Sequence, residues 1–542
     1  MKNTIVLILL LSSTASFAQM DTVWTRHYNG PGNDVDIACA VAVDDSGNVY
    51  VTGSSIGINT LEDYATIRYD VSGDSIWVSR YDGVWGGTDY PIGLIVDSSN
   101  NVYVSGSSMG MDATYDYATI KYSSSGDTLW VRLLSGLWGD IDYVSAFDVN
   151  EEGNVFVTGT TRYAWTYLNY MTVKYNNIGD TLWVRVYNHT ADKDDSATAI
   201  ATDGDGNVYV TGQSWGYVTG YDYTTVKYDA VGNEVWVSRY NGISDSTDIA
   251  KAIVVDNVGN IYVTGESWTT GSGYDIVTVK YNGNGDTIWT RRYNGSGNSY
   301  DYASALLLDD ENNVCVIGYA REVNIDYCTI KYDSAGNELW VAHYNGVGNG
   351  ADMAYAAVLD DSGNVYVTGA SFGSGTLGDY ATVKYDINGN EMWVARYNGI
   401  MTNSFDKAYA IAVDTAGYVY VTGESGIGAG VDYVKVKYSQ VTGIEEDIVA
   451  RKWLAMVVRK SVFLDEVVID YTLQDPERIS LQIYDIQGRL VKTLVNNGLQ
   501  CGNNRVHWSG TDDYDRESPA GVYLARLSNS HNSLTKKIVK LK

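Results

Sequence analysis

Apolar and polar positions along this chain change over in short runs, and the runs have the lengths of strands. Ala38 to Val43 is a continuous apolar run, as expected of a strand buried on both faces. Asp44-Asp45-Ser46-Gly47 is turn chemistry: Asp accepts loop amides and Gly takes positive φ. Asn48 to Thr52 alternates as a second strand. A variable loop follows, then Tyr64 to Tyr69 as a third. Asp70-Val71-Ser72-Gly73 turns again, and Ser75 to Tyr81 is a fourth, carrying Trp77. No later segment sustains a 3.6-residue apolar period.

This unit repeats. The Val-Tyr-Val-Thr-Gly landmark at Tyr50 returns at Tyr103, Phe156, Tyr209, Tyr262, Cys315, Tyr366 and Tyr420, with five steps of 53 residues, then 51 and 54. Trp24, Trp77, Trp130, Trp183, Trp236, Trp289, Trp340 and Trp393 form a second series of eight. Four strands in about 50 residues, repeated eight times, predict an all-β, eight-bladed β-propeller. Asp21 to Gly30 is a fourth strand without a first three, and Asp406 to Tyr438 is a unit without its fourth. The N-terminal strand should therefore close the ring, over residues 19–438.

Units such as Ala356-Ala357-Val358-Leu359-Asp360-Asp361-Ser362-Gly363-Asn364-Val365-Tyr366-Val367-Thr368-Gly369 resemble the SBBP-type bacterial propeller repeat. That resemblance implies fold strongly and function weakly. Asp333-Ser334-Ala335-Gly336-Asn337-Glu338-Leu339-Trp340 is also similar to the tryptophan-docking turn of quinoprotein propellers, one residue short. No adjacent cysteines accompany it, so a quinone dehydrogenase site is not expected.

Beyond Tyr438 the pattern ends. Residues 439–447 read as a polar linker and 448–542 as a small Ig-like β-sandwich. Its strands are expected at Val467–Leu473, Ser480–Asp485, Arg489–Leu494, Asn504–Trp508, Gly521–Leu527 and Thr535–Leu541. Ile483-Tyr484-Asp485-Ile486-Gln487-Gly488-Arg489, Trp508-Ser509-Gly510-Thr511-Asp512, Pro519-Ala520-Gly521-Val522-Tyr523 and Lys536-Lys537-Ile538-Val539-Lys540 resemble the FlgD-like/type IX sorting family. The resemblance implies engagement of the type IX secretion machinery and delivery to the surface. At the other end, Lys2, the apolar run Ile5 to Leu11 and Ser16-Phe17-Ala18 predict a signal peptide over 1–18, cleaved after Ala18. The expected location is secreted or cell surface, with no transmembrane segment.

Charge narrows the partners. The 37 Lys and Arg against 66 Asp and Glu give a net charge of −29, which argues against nucleic acid. Residues 440–542 hold 14 basic and 13 acidic side chains, so the excess belongs to the repeats. The basic series Arg68, Lys121, Lys174, Lys227, Lys280, Lys331, Lys384 and Lys437 should pair with the turn acids Asp44, Asp97, Asp203, Asp256, Asp309, Asp360 and Asp414. Acids opening the first strands (Asp36 to Asp406) and third strands (Asp63 to Asp432) should cap loop amides. With no basic series beside them, they should make that face electronegative.

Internal repetition sorts candidates without any alignment: what recurs in every unit serves the fold, and what departs is free for a ligand. The tryptophan series is therefore structural. G-x-S-x-G occurs at Gly53, Gly106, Gly212 and Gly369, but it enters a loop rather than a helix and lacks a His partner, so no catalytic residue is assigned. Asp203-Gly204-Asp205-Gly206-Asn207 resembles part of a calcium loop without its downstream acid. Calcium is admissible, and the metal ligands are unknown. Cys39, Cys315, Cys328 and Cys501 form no metal spacing, although Cys315 and Cys328 are close enough in sequence for a bridge. The departures are aromatic: Trp85, Trp138, Tyr163, Trp165, Tyr167, Trp215, Tyr217 and Trp268, all in loops expected on one face. Flat rings beside acids suit carbohydrate or a cationic partner. The expected function is a non-catalytic surface binding module. The alternatives are an extracellular glycan-acting enzyme working through carboxylates on that face, or a purely architectural protein.

Overall fold

The computed structural model describes residues 20–84, 86–110, 113–136, 141–163, 167–189, 193–399, 404–427, 430–440, 454–459, 462–463, 466–486, 488–514, 516–528 and 533–541. They fall into two compact units that part between Gln440 and Val441. Among the described residues every regular element is a strand.

The first unit holds eight four-stranded antiparallel sheets of propeller type. Sheets 1 to 8 begin with the strands Asp36–Val43, Asp89–Val96, Asp142–Val149, Asp195–Thr202, Asp248–Val255, Tyr302–Leu308, Asp352–Leu359 and Asp406–Val413. In sheet 1 the order continues through Val49–Ile56, Glu62–Tyr69 and Ser75–Tyr81. In sheet 8 the fourth strand is the N-terminal Met20–Tyr28, which pairs with Gly430–Gln440 as Trp24 opposite Lys437. Each first strand packs against the next, and that of sheet 8 packs against that of sheet 1.

The tyrosines explain how the sheets adhere. A third-strand Tyr lies buried in the seam and donates to a third-strand carbonyl of the next sheet: Tyr64 to Ala118 at 3.4 Å, Tyr117 to Met171 at 3.1 Å, Tyr327 to Ala381 at 3.1 Å. Tyr433 does the same to Ala65 across the closure, at 3.4 Å. Each of these rings fills apolar volume while its hydroxyl finds a partner, which offsets the cost of burying it.

The tryptophan series reaches the next sheet's turn from every sheet but the seventh, whose Trp393 indole nitrogen has no partner among the described residues. Trp77 Nε1 donates to Ser124 O at 3.1 Å, and Trp130, Trp183 and Trp289 repeat the contact. The expected basic–acid pairs form in several sheets: Lys331 to Asp309 at 2.8 Å, Lys384 to Asp360 at 3.6 Å, Arg68 to Asp44 at 3.8 Å. Cys315 and Cys328 do not bridge; both are buried free thiols.

The second unit differs in detail from expectation. Val467–Leu473 and Ser480–Asp485 are parts of one long strand, Val467–Asp485, and Leu490–Trp508 likewise spans two expected strands. Their ladder shifts between Leu473 and Glu477, where Pro476 has no amide hydrogen to give. The near half of the first long strand pairs with Leu454–Arg459 and the far half with Gly521–Ser528. Trp508, Ile469, Leu481, Ile483 and Ile538 lie in its buried core.

Candidate ligand-binding face

The end of the ring where first strands begin is organised by carboxylates. The opening Asp of each first strand accepts the amide of the preceding loop: Asp36 from Gly30 at 2.6 Å, Asp301 from Gly295 at 2.7 Å, Asp352 from Gly346 at 2.6 Å. These are the expected caps. The third-strand acids are not free. In sheets 1, 4, 5 and 7 an Arg three residues after the fourth-strand Trp reaches across: Arg80 to Asp63, Arg239 to Asp222, Arg292 to Asp275 and Arg396 to Asp379, at 2.7–2.9 Å. In sheets 1, 4 and 7 the same guanidinium donates to the serine of the G-x-S-x-G run, as Arg239 does to Ser214 at 2.7 Å. Those three runs therefore build arginine sockets, and their serines are acceptors rather than nucleophiles.

The expectation of an acidic face with no basic series is thus corrected. Arginine was overlooked because it recurs in only half the units. Sheet 3 replaces both the acid, with Asn169, and the cation, with Val186, whereas sheet 2 keeps Asp116 with Leu133 at the arginine position. Sheets 6 and 8 offer His343 and His27 at the arginine position. Burial, with neighbouring acids, pushes Asp326 and Asp432 there up to about 6. Asp63, Asp82 and Asp89 bring carboxylate oxygens within 4.8 Å of one another, the one such group among the described residues. Arg80 already neutralises Asp63.

Of the predicted aromatics, Trp85, Trp138 and Trp165 lie outside the described residues, as does the side chain of Tyr163. Tyr167 carries Lys193 Nζ 4.6 Å above its ring. Trp215 is half-buried, edge-on to Tyr221 at 4.9 Å. Tyr217 is 72% exposed. Trp268 meets Tyr274 at 5.1 Å and Tyr300 at 6.0 Å.

From Trp268 the rings continue inward: Tyr274 to Tyr302 at 6.1 Å, and Tyr302 to Tyr319 at 5.2 Å. A second row joins Tyr90 to Tyr115 at 6.1 Å and Tyr115 to Tyr143 at 5.2 Å, crossing sheets 2 and 3. Tyr90 and Tyr143 are 43% and 44% exposed. Sequence reasoning missed this row. Its signal was present, since Tyr90, Tyr143 and Tyr302 follow the strand-opening Asp where other sheets have Ile37, Ser196, Ile249, Met353 and Lys407.

Residues 23–59, 182–221 and 235–271 match the family model described as beta-propeller repeat, and residues 464–541 that described as secretion system C-terminal sorting domain. No curated protein matches the chain. Similar solved structures include PorZ, a surface component of the type-IX secretion system of Porphyromonas gingivalis, 13% identical with a TM-score of 0.34, over 93% of this chain and 74% of that one. A protein of unknown function from Bacteroides caccae is 12% identical, TM-score 0.32, over 55% and 93%. An ulvan lyase from a new family of polysaccharide lyase is 12% identical, TM-score 0.38, over 69% and 95%. Among the described residues no helix is long and apolar enough to cross a membrane. The chain carries β-propeller repeats and a type IX C-terminal sorting domain, and is accordingly a secreted or cell-surface protein.

Proposed function

We propose that this protein is an exported, non-catalytic binding propeller of eight blades, closed by its N-terminal strand. Its working face is the one bearing the loops after the second and fourth strands, and its ligand is carbohydrate. Residues 1–18 are the signal peptide, removed after Ala18, and 448–542 are an Ig-like address domain joined by a linker that begins after Gln440, the end of the last propeller strand. The observation that carries the reading is the row Tyr90, Tyr115 and Tyr143, two exposed rings on either side of a half-buried one, which no repeat unit requires, laid across neighbouring sheets. Sugars present apolar C–H faces to such rings and hydroxyls to the polar groups between them. Because arginines neutralise much of the acid on this face, a cationic partner is the weaker match.

The test is a glycan array probed with the mature propeller, with and without calcium, beside a Tyr90→Ala/Tyr143→Ala variant. The reading expects glycan binding that the variant loses at least tenfold. Equal binding by a folded variant would remove the tyrosine row from the site. A calcium requirement would bring in Asp63, Asp82 and Asp89.

A further inference from the structure

Every first strand carries a β-bulge at the same place. Counted from the opening Asp, the ladder shifts between the third and fifth residues in all eight sheets, as between Ala250 and Ala252. The fourth residue is thereby released from cross-strand pairing and its side chain is re-aimed. In sheets 1, 4 and 6 this side chain is small and stitches the ring: Cys39, Thr198 and Ser304 donate to Pro91, Ala250 and Ala354 carbonyls of the next first strand, at 3.3, 2.8 and 2.7 Å. Sheets 5, 7 and 8 instead carry Lys251, Tyr355 and Tyr409.

These departures meet others. Lys251 Nζ lies 3.6 Å from Glu266, whose side chain is 6% exposed. Glu266 stands where other sheets have Ser54, Ser107, Thr160, Gln213, Tyr319 and Ala370. Its charge acts on Tyr274, Tyr302 and Tyr319, and Tyr355 acts on Tyr319 from the far side. In sheet 8, at the same repeat position, Glu424 pairs with Lys407 at 2.9 Å, and both act on Tyr355. Tyr355 and Tyr409 pack at 5.7 Å. An arc of two ion pairs and intervening tyrosines thus follows the first and second strands of sheets 5 to 8.

Sheets 1 to 4, 6 and 7 have no acid at this position, so the fold does not require one. Nor do the pairs add much stability, since each lysine is more than a third exposed and such ion pairs contribute about 0–1 kcal/mol. We propose that Lys251, Glu266, Tyr319, Tyr355, Lys407 and Glu424 form a subsite for a neutral saccharide. With the glutamates ionised each Lys–Glu pair is neutral overall, so above the pH at which Glu266 titrates the arc has no net charge with which to select a uronate or an amino sugar. A hydroxyl suits both halves of a pair, donating to the carboxylate and accepting from the ammonium. The tyrosines supply ring faces, and Trp268, Tyr274 and Tyr302 lead toward them from the loop tips. This inference rests on the reading of the face as carbohydrate-binding.

The experiment probes an array of neutral, uronate-bearing and amine-bearing glycans with the mature chain and with Glu266→Gln and Lys251→Met variants, each checked by thermal melting. The expected result is binding confined to neutral glycans and weakened at least tenfold in both folded variants. Neutral-glycan binding that both variants retain overturns the subsite but leaves the face reading intact. Preference for uronates or amines overturns the assigned chemistry. Absence of any glycan binding by the wild-type chain overturns both readings. Should Lys251→Met fail to fold, Glu266→Gln, which keeps the side-chain shape, decides alone.

Discussion

The indole of Trp77 lies against Gly126 of the neighbouring sheet, while its Nε1 donates to the carbonyl of Ser124 in the same turn. Gly126 has φ of +89°, and a Cβ there would fall 2.7 Å from the indole. One turn thus needs glycine twice over, for its backbone and for its neighbour. Gly126→Ala should destabilise the propeller by at least about 1 kcal/mol from backbone strain alone, with the clash added. Urea denaturation of the propeller measures it. An unchanged midpoint would show that the docking contributes nothing.

Arg239 and Asp222 allow a cycle whose answer the chain itself supplies in sheet 3, where Asn169 and Val186 hold the equivalent places. Arg239→Val alone leaves the buried carboxylate of Asp222 unpaired and should cost about 3 kcal/mol. Adding Asp222→Asn should recover most of that loss. If the two effects simply add, the pair is not coupled in the way its 2.7 Å contact implies.

Burial raises Glu266 to about 7, and Asp89, Asp301, Asp326 and Asp432 to about 6. Groups raised in the folded state bind more protons there than in the unfolded chain. Stability they contribute is therefore present below their unfolded values and is lost as pH climbs through 6 to 7. The melting temperature should be higher at pH 5 than at pH 8. Glu266→Gln should flatten the upper part of that slope, removing up to a few kcal/mol of pH dependence. A profile identical to wild type would mean that Glu266 does not titrate in this window.

Removing Met20–Tyr28 would leave Gly430–Gln440 as an uncovered edge and strip Trp24 from its seam. Such an edge pairs with other chains. The truncated propeller should aggregate or melt far below the intact one in light-scattering and thermal assays, and equal solubility would argue against closure by this strand.

The sorting tail makes a separable claim. Ending the chain before Ile448 should leave a folded propeller yet abolish surface delivery in a host with type IX secretion, read by fractionation. Normal delivery would refute the address role of residues 464–541.

The sequence alone determined the strands of the repeats, their fourfold grouping, the lone fourth strand at one end and the unit lacking it at the other, and the role of the tryptophans. All of these depend on local apolar pattern and on spacing, which a linear chain displays. It also exposed the sorting tail through contiguous motifs. The arginine socket was written in the sequence but not legible there: Arg80 and Asp63 meet only because two strands pair in one register and hold both side chains on one face. The bulge that frees Lys251 was likewise invisible, because a bulge is a property of two paired strands rather than of one. The tyrosine rows were decided later still, by packing between sheets, where Tyr115 reaches Tyr143 and Tyr302 reaches Tyr274 across a seam. Contacts of that kind arise from the closure of the ring, and only the tertiary structure sets which departures from the repeat become neighbours.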